Sequence, residues 1–110
     1  MIFDKEGTTT VIFQENIALQ EFLENLEQSY AKVSNDNIIV NLFSFSALNA
    51  GDILEFLPIS NKHRDTKKSF VLVTNKVTID EVPEELCVVP TIQEAKDIIE
   101  MEEIERDLDI

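Results

Sequence analysis

Apolar residues recur along this chain in two patterns, one typical of strands and one typical of helices. β-Branched residues dominate residues 8–13, and with Ile2 and Phe3 they flank a turn that contains Gly7. That pattern predicts an antiparallel hairpin. After Asn16, a predicted N-cap, apolar residues recur at steps of three and four as far as Val33. This spacing predicts an amphipathic helix, so we expect the chain to open with two strands and a helix.

The middle of the chain alternates apolar runs with helical segments. Residues 37–43 and residues 69–74 are nearly continuous apolar runs, which are typical of strands covered on both faces in a parallel sheet. Between them, Asn49 is placed to cap a second helix, and Pro58 is expected to kink that helix.

A short strand and a long helix are predicted after that. Cys87–Val89 is a short apolar run that Pro90 ends, and Thr91 and Glu94 have the spacing of a capping box that begins a helix. The apolar positions expected to form the packing face of this helix are Ala95, Ile98, Ile99 and Ile104. The predicted fold class is α/β, with a mixed, mostly parallel sheet that begins with an antiparallel hairpin and has helices packed on it.

Composition and charge narrow the classes of partner. With 110 residues, 44% of them hydrophobic and 28% charged, the chain fits a single globular domain of residues 1–110. A net charge of −13 repels phosphate backbones and anionic lipids, so we expect a cationic protein surface as partner, with no direct nucleic-acid or membrane contact. The start of the chain lacks signal-peptide features, and the lone Cys87 agrees with a reducing compartment. A cytoplasmic location is expected.

The residues that usually carry chemistry are few. His63 is the only histidine, and its sequence neighbours are basic, which predicts a surface histidine without a catalytic role. Cys87 lies in a predicted interior strand, where a thiol behaves as a small apolar residue. A hydrolytic metal site needs several ligands, but the chain has only one histidine and one cysteine. No phosphate-binding glycine motif occurs either. We therefore expect no catalytic site, no bound metal and no cofactor.

Two clusters of charge stand out. Four basic residues form what we name the cationic patch: Lys62, Arg64, Lys67 and Lys68. The acidic helix end, residues 100–110, carries carboxylates where the helix dipole disfavours them. Its candidate docking residues for a basic partner are Glu102, Glu103, Glu105 and Asp107. An ordinary solvated helix end is the alternative interpretation, and head-to-tail contact between the two clusters is a further hypothesis.

Three segments resemble the STAS domain of anti-sigma-factor antagonists: NIIVNLF, SALNAGDILEFL and VVPTIQEAKDII. The resemblance covers nearly the whole chain and implies a STAS-like α/β fold. In that family an Asp-Ser-Ser-Gly motif precedes the second helix, and a kinase partner phosphorylates its second serine. The matching positions are Leu48, Asn49, Ala50 and Gly51. Ala50 has no hydroxyl, so the phosphorylation switch is not available at that position.

The resemblance implies a non-catalytic regulatory module that binds another protein, either a regulatory or a kinase-like partner. Its partner-facing residues would be Asn49, Ala50, Gly51, Asp52 and Glu55, although helix capping and packing explain the same residues nearly as well. Ser44 and Ser46 lie close by in sequence as weak substitutes for the missing serine. We expect a monomer or a weak homodimer.

Two other functions stay open. Short bacterial sequences similar to this one carry the name ribonuclease Z, but that enzyme builds a two-zinc site from a His-x-His-x-Asp-His motif and further histidines. A chain with one histidine would more readily assist tRNA processing than catalyse it. The third possibility is a structural subunit that docks a basic partner through the acidic helix end.

Overall fold

The five predicted strands are present in the predicted order, together with four α-helices. The computed structural model describes residues 1–108. The strands are β1 (Ile2–Glu6), β2 (Thr9–Phe13), β3 (Asn37–Asn41), β4 (Phe70–Val73) and β5 (Cys87–Val89), and the helices are α1 (Leu19–Val33), α2 (Ala50–Leu54), α3 (Leu57–Arg64) and α4 (Ile92–Leu108). A short 3₁₀ turn at Ile79–Glu81 lies between β4 and β5.

The five strands form one mixed sheet in the order β1-β2-β3-β4-β5. β1 pairs antiparallel with β2, and every later strand pairs parallel with the strand before it. Gly7 turns the hairpin with φ of +60°, a conformation that costs glycine little. The predicted α/β class, with a mostly parallel sheet and an N-terminal hairpin, is confirmed.

The sheet is covered on both faces because its central strands are apolar on both sides. Along β3, Ile38 and Val40 face the core formed with α1, α2 and α3, whereas Ile39 faces the core formed with α4. Ala95 and Ile99 are the buried apolar residues of α4. One helix thus covers the face of the sheet opposite the other three.

Two helix boundaries differ from the sequence prediction. The first helix begins at Leu19 with Ala18 as N-cap, whereas Asn16 lies before it with φ of +57°. The predicted kinked helix is in fact two helices, α2 and α3. Pro58 lies in the first turn of α3, where its missing N–H has no helical partner to lose. The proline therefore belongs to the start of a new helix.

Candidate functional site

The start of α2 is an exposed, locally rigid surface. Asn49 Oδ1 accepts a hydrogen bond of 2.9 Å from the Asp52 amide, and Asp52 Oδ2 accepts one of 3.1 Å from the Asn49 amide. Ala50 and Asp52 are half-buried, while Asn49, Gly51 and Glu55 are exposed. The five partner-facing candidates therefore lie together at the surface, with the Asn49 and Asp52 side chains bonded to the helix itself.

The loop before α2 and α2 itself each expose a large apolar side chain, and the loop holds a hydroxyl that is already engaged. Phe43 in the loop is 46% exposed and Leu54 on α2 is 42% exposed. Ser44 Oγ donates to the Gln14 carbonyl oxygen at 2.8 Å, which ties the loop to the end of β2. Ser46 is exposed. Ser44 thus has a structural bond, and Leu54 is exposed although the apolar pattern of the second helix predicts that it packs in the core.

Glu102 of the acidic helix end points into the domain. Its Oε1 accepts a 2.5 Å hydrogen bond from Ser69 Oγ, and its Oε2 accepts from Arg64 at 3.3 Å. Arg64 also donates to the Phe70 carbonyl oxygen at 3.1 Å. Since Ser69 is buried just before β4, Glu102 joins α4 to the beginning of that strand.

Glu103 makes a similar junction with the neighbouring strands. Its Oε1 accepts from Asn37 Nδ2 at 2.9 Å and from Thr8 Oγ1 at 3.2 Å. Asn37 Oδ1 in turn accepts from the Ser69 amide at 2.9 Å, and Arg106 donates to Ser69 Oγ at 3.2 Å. The second half of α4 is therefore bonded to the N-terminal ends of β2, β3 and β4.

These bonds change the interpretation of the acidic helix end. Glu102 and Glu103 are half-buried and have partners within the chain, whereas Glu105 and Asp107 are exposed. Local sequence offers no stabilising reason for carboxylates at this end of the helix, whereas the hydrogen bonds of the fold supply one for Glu102 and Glu103. The last two residues of the segment 100–110 lie outside the described residues.

The cationic patch is not a uniform free surface. Arg64 pairs with Glu102, so the contact between the two charge clusters forms within one chain. The Lys62 ammonium lies 4.9 Å from the centre of the Tyr30 ring, a cation–π geometry. Lys67 is exposed and adopts φ of +67° in the turn after α3. Hence two of the four bases already have partners.

The predicted surface position of His63 is wrong, because the side chain is fully buried under the sheet. Its Nε2 lies 2.7 Å from the Asp36 carbonyl oxygen, and its Nδ1 lies 2.7 Å from the Tyr30 hydroxyl. A carbonyl only accepts, so Nε2 carries the proton, and Tyr30 donates to Nδ1. Burial lowers the pKa of His63 below its ordinary value. Both ring nitrogens are therefore engaged in holding α1, α3 and the start of β3 together.

Cys87 lies on β5 and packs against the α4 side of the sheet. The side chain is half-buried, and this burial raises the pKa of its thiol. A raised pKa keeps the sulfur protonated and therefore weakly nucleophilic.

The clustering of metal-binding side chains and an apolar groove are the two remaining features that bear on a ligand site. Across residues 1–108, no three His, Cys, Asp or Glu side chains lie close enough together to hold a metal ion. A groove of about 370 Å³ lies at the carboxyl ends of β4 and β5, and its lining includes Val77, Ile79, Val89 and Pro90. Such a groove offers apolar contact and few polar groups to orient a ligand.

A feature that the sequence analysis missed lies on the outer side of α4. Ile104 was expected in the packing face, but it is 53% exposed. Met101 and Leu108 are also exposed, at 61% and 79%. The spacing of three and seven residues from Met101 could have indicated this second apolar stripe, separate from the Ala95 and Ile99 stripe that packs on the sheet.

Comparison with known proteins adds no relative: no protein-family model and no curated protein matches this chain. Of the helices within residues 1–108, none is both long enough and apolar enough to cross a membrane.

Proposed function

We propose that this chain is a non-catalytic, STAS-like module that regulates another protein by binding it at the start of α2. The observation that carries this proposal is the exposure of Leu54 and Glu55 at the end of the same five-residue helix whose beginning Asn49 and Asp52 cap. An apolar side chain next to a carboxylate can contribute both burial and charge selectivity at an interface.

The reciprocal cap between Asn49 and Asp52 supports this proposal in a second way. Both bonds fix the backbone at the beginning of a five-residue helix. A surface that is ordered before binding loses less conformational entropy when a partner docks on it. The cap thus serves the proposed surface as well as the helix.

Regulation in this proposal works by occupancy. Ala50 offers no hydroxyl for a phosphate, and the Ser44 hydroxyl bonds the Gln14 carbonyl oxygen. Without a phosphate at the helix start, the local charge of the binding surface stays constant. The amount of complex then follows the concentrations and affinities of competing partners.

A capture experiment tests this surface. The tagged chain is used to retain proteins from native lysate, and we expect a stoichiometric partner that the Leu54→Ser/Glu55→Lys double variant no longer retains. Glu84→Lys is the matched control, because it reverses an exposed carboxylate elsewhere. Asp52 is unsuitable for substitution, since its loss would also remove the cap.

Retention of the same partner by the double variant and by the control to the same extent would contradict the proposed surface. Loss of the partner in both proteins would instead show that general negative charge, and not the start of α2, determines binding.

Cleavage of precursor tRNA by this chain is the alternative from the enzyme class, and it has a direct test. Zinc-loaded protein is incubated with precursor tRNA, and we expect no cleavage because both nitrogens of His63 are engaged inside the domain. Robust cleavage that a chelator abolishes would replace the proposal of a binding module.

A further inference from the structure

The outer stripe of α4, formed by Met101, Ile104 and Leu108, is apolar surface that the domain does not use. These residues lie on one side of the helix over about two turns. The opposite side of α4 packs on the sheet through Ala95 and Ile99. Large apolar side chains in such a continuous stripe are typical of a surface that another helix covers.

The charges around the outer stripe have a single sign. The exposed charged side chains of α4 are all carboxylates: Glu94, Asp97, Glu100, Glu105 and Asp107. By helical spacing, Glu105 lies on one side of the stripe and Glu100 and Asp107 lie on the other. The two basic residues of the helix are used within the domain, because Lys96 pairs with Glu6 and Arg106 bonds Ser69.

We infer that the outer stripe binds a basic amphipathic helix of another protein. Apolar side chains of that helix would pack on Met101, Ile104 and Leu108, and its lysines and arginines would meet the flanking carboxylates. This surface differs from the start of α2, so the inference stands apart from the proposed function.

A second copy of this chain is a poor occupant of the same stripe. Two α4 helices packed face to face would bring Glu100, Glu105 and Asp107 of each copy against like charges of the other. Opposed like charges across an interface are unfavourable, and the net charge of −13 on each chain adds to the repulsion. Charge complementarity therefore selects a basic partner.

A fluorescent synthetic peptide tests the inference. The probe is a helix of about 14 residues with leucines along one face and arginines on the others, and the control peptide has the same composition with its leucines scattered. We expect the intact chain to bind the amphipathic peptide at least about tenfold more tightly than the scattered one. Amide chemical shifts should change along the outer side of α4.

Variants of the chain separate apolar contact from charge. Met101→Ser/Ile104→Ser leaves the net charge unchanged, and we expect it to weaken binding of the amphipathic peptide about tenfold. Glu100→Gln/Glu105→Gln should weaken binding and reduce its salt dependence. The matched control, Glu21→Gln/Glu24→Gln, removes the same charge from exposed positions of α1 and should change the affinity by less than about twofold.

Three results would overturn the inference. The first is equal affinity of the two peptides, and the second is unchanged affinity in Met101→Ser/Ile104→Ser. The third is a dimer of the intact chain in sedimentation that this double variant converts to a monomer, which would assign the stripe to a second copy. Peptide binding by Leu54→Ser/Glu55→Lys should match that of the intact chain, so a failure of either surface can be recognised separately.

Discussion

His63 is a polar residue that the fold uses as part of its core. Its two nitrogens bond a tyrosine hydroxyl and a backbone carbonyl, with the proton of the neutral ring on Nε2 and Nδ1 accepting from Tyr30. Protonation would turn Nδ1 from an acceptor into a donor opposite the Tyr30 hydroxyl. It would also place a charge in the interior, which is costly without a paired anion.

Stability should therefore decrease as the pH falls below the ordinary pKa of histidine. The pKa of His63 is lowered in the folded chain, so the unfolded chain takes up the proton first, near about pH 6.5. The contribution of neutral His63 is complete above that pH and is lost as the pH falls towards the folded pKa. Urea unfolding at about pH 7.5 and about pH 5.5 measures the difference.

His63→Gln is the control for this pH dependence, because glutamine does not titrate and His63 is the only histidine. The variant should be less stable than the natural chain at the higher pH, and its free energy of unfolding should differ less between the two pH values. A natural chain whose free energy of unfolding is the same at both pH values would contradict the expectation.

The error about His63 has a plain physical origin. Its sequence neighbours are basic, but consecutive side chains on a helix point about 100° apart, so neighbours in sequence do not share an environment. His63 follows the buried Ile59 by four residues and shares its side of α3. That spacing was visible in the sequence, whereas the carbonyl oxygen of Asp36 that the ring meets was not.

At the scale of elements, α4 shows how tertiary bonds outweigh a local preference. Carboxylates in the last turn of a helix cost about 0.3–1 kcal/mol each through the helix dipole, and the cost is smaller for Glu102 and Glu103, which lie before the last turn. A hydrogen bond to a charged group contributes about 1.5–3 kcal/mol, and Glu102 and Glu103 each accept two. The bonds therefore exceed the penalty, which explains why these acids are compatible with a stable helix.

Two alanine substitutions on α4 should differ in their effect. Glu102→Ala leaves the buried Ser69 hydroxyl and Arg64 without this partner and should lower the free energy of unfolding by about 1–3 kcal/mol. Glu105→Ala removes an exposed carboxylate and should change it by less than about 0.5 kcal/mol. Urea unfolding of both variants provides the comparison, and equal losses would refute the role assigned to Glu102.

The cap of α2 makes a second prediction for an element. Asn49→Ala removes the acceptor for the Asp52 amide and should destabilise the domain by about 1 kcal/mol. Asn35→Ala, at an exposed position after α1, serves as the matched control and should be nearly neutral. Thermal and urea unfolding would both have to show the difference; an Asn49 variant as stable as its control would mean that the cap contributes little.

Local patterns predicted the caps at Asn49 and Thr91, but the cap predicted at Asn16 is not formed and the long-range partners were not predicted. Asn49 with Asp52 is visible as a three-residue spacing, and Thr91 likewise accepts from the Glu94 amide as its spacing suggested. Ser69 and Glu102 are 33 residues apart in the chain, and no local spacing relates them. Because their partners are so distant in sequence, the sequence does not show which acids of α4 face the domain and which face solvent.

At the scale of the whole molecule, the apolar runs carried most of the information about the fold. Strands covered on both faces imply a parallel sheet with helices on each side, and strands that are consecutive in sequence are most often neighbours in the sheet. The observed order of β1 to β5 agrees with this reasoning. The packing face of α4 was harder to predict, because this helix has two apolar stripes. Only contact with the sheet shows that Ala95 and Ile99 belong to the buried stripe.

Coverage of one face of the sheet by α4 alone has a consequence for proteolysis. Within residues 1–108, the apolar residues under this helix come from four parallel strands: Val11, Ile39, Val71, Val73 and Val89. A protease that cuts inside α4 would uncover a broad β-branched surface, which is a hazard for aggregation. Degradation of this protein, once begun at α4, should therefore lead to insoluble fragments and not to a smaller folded core.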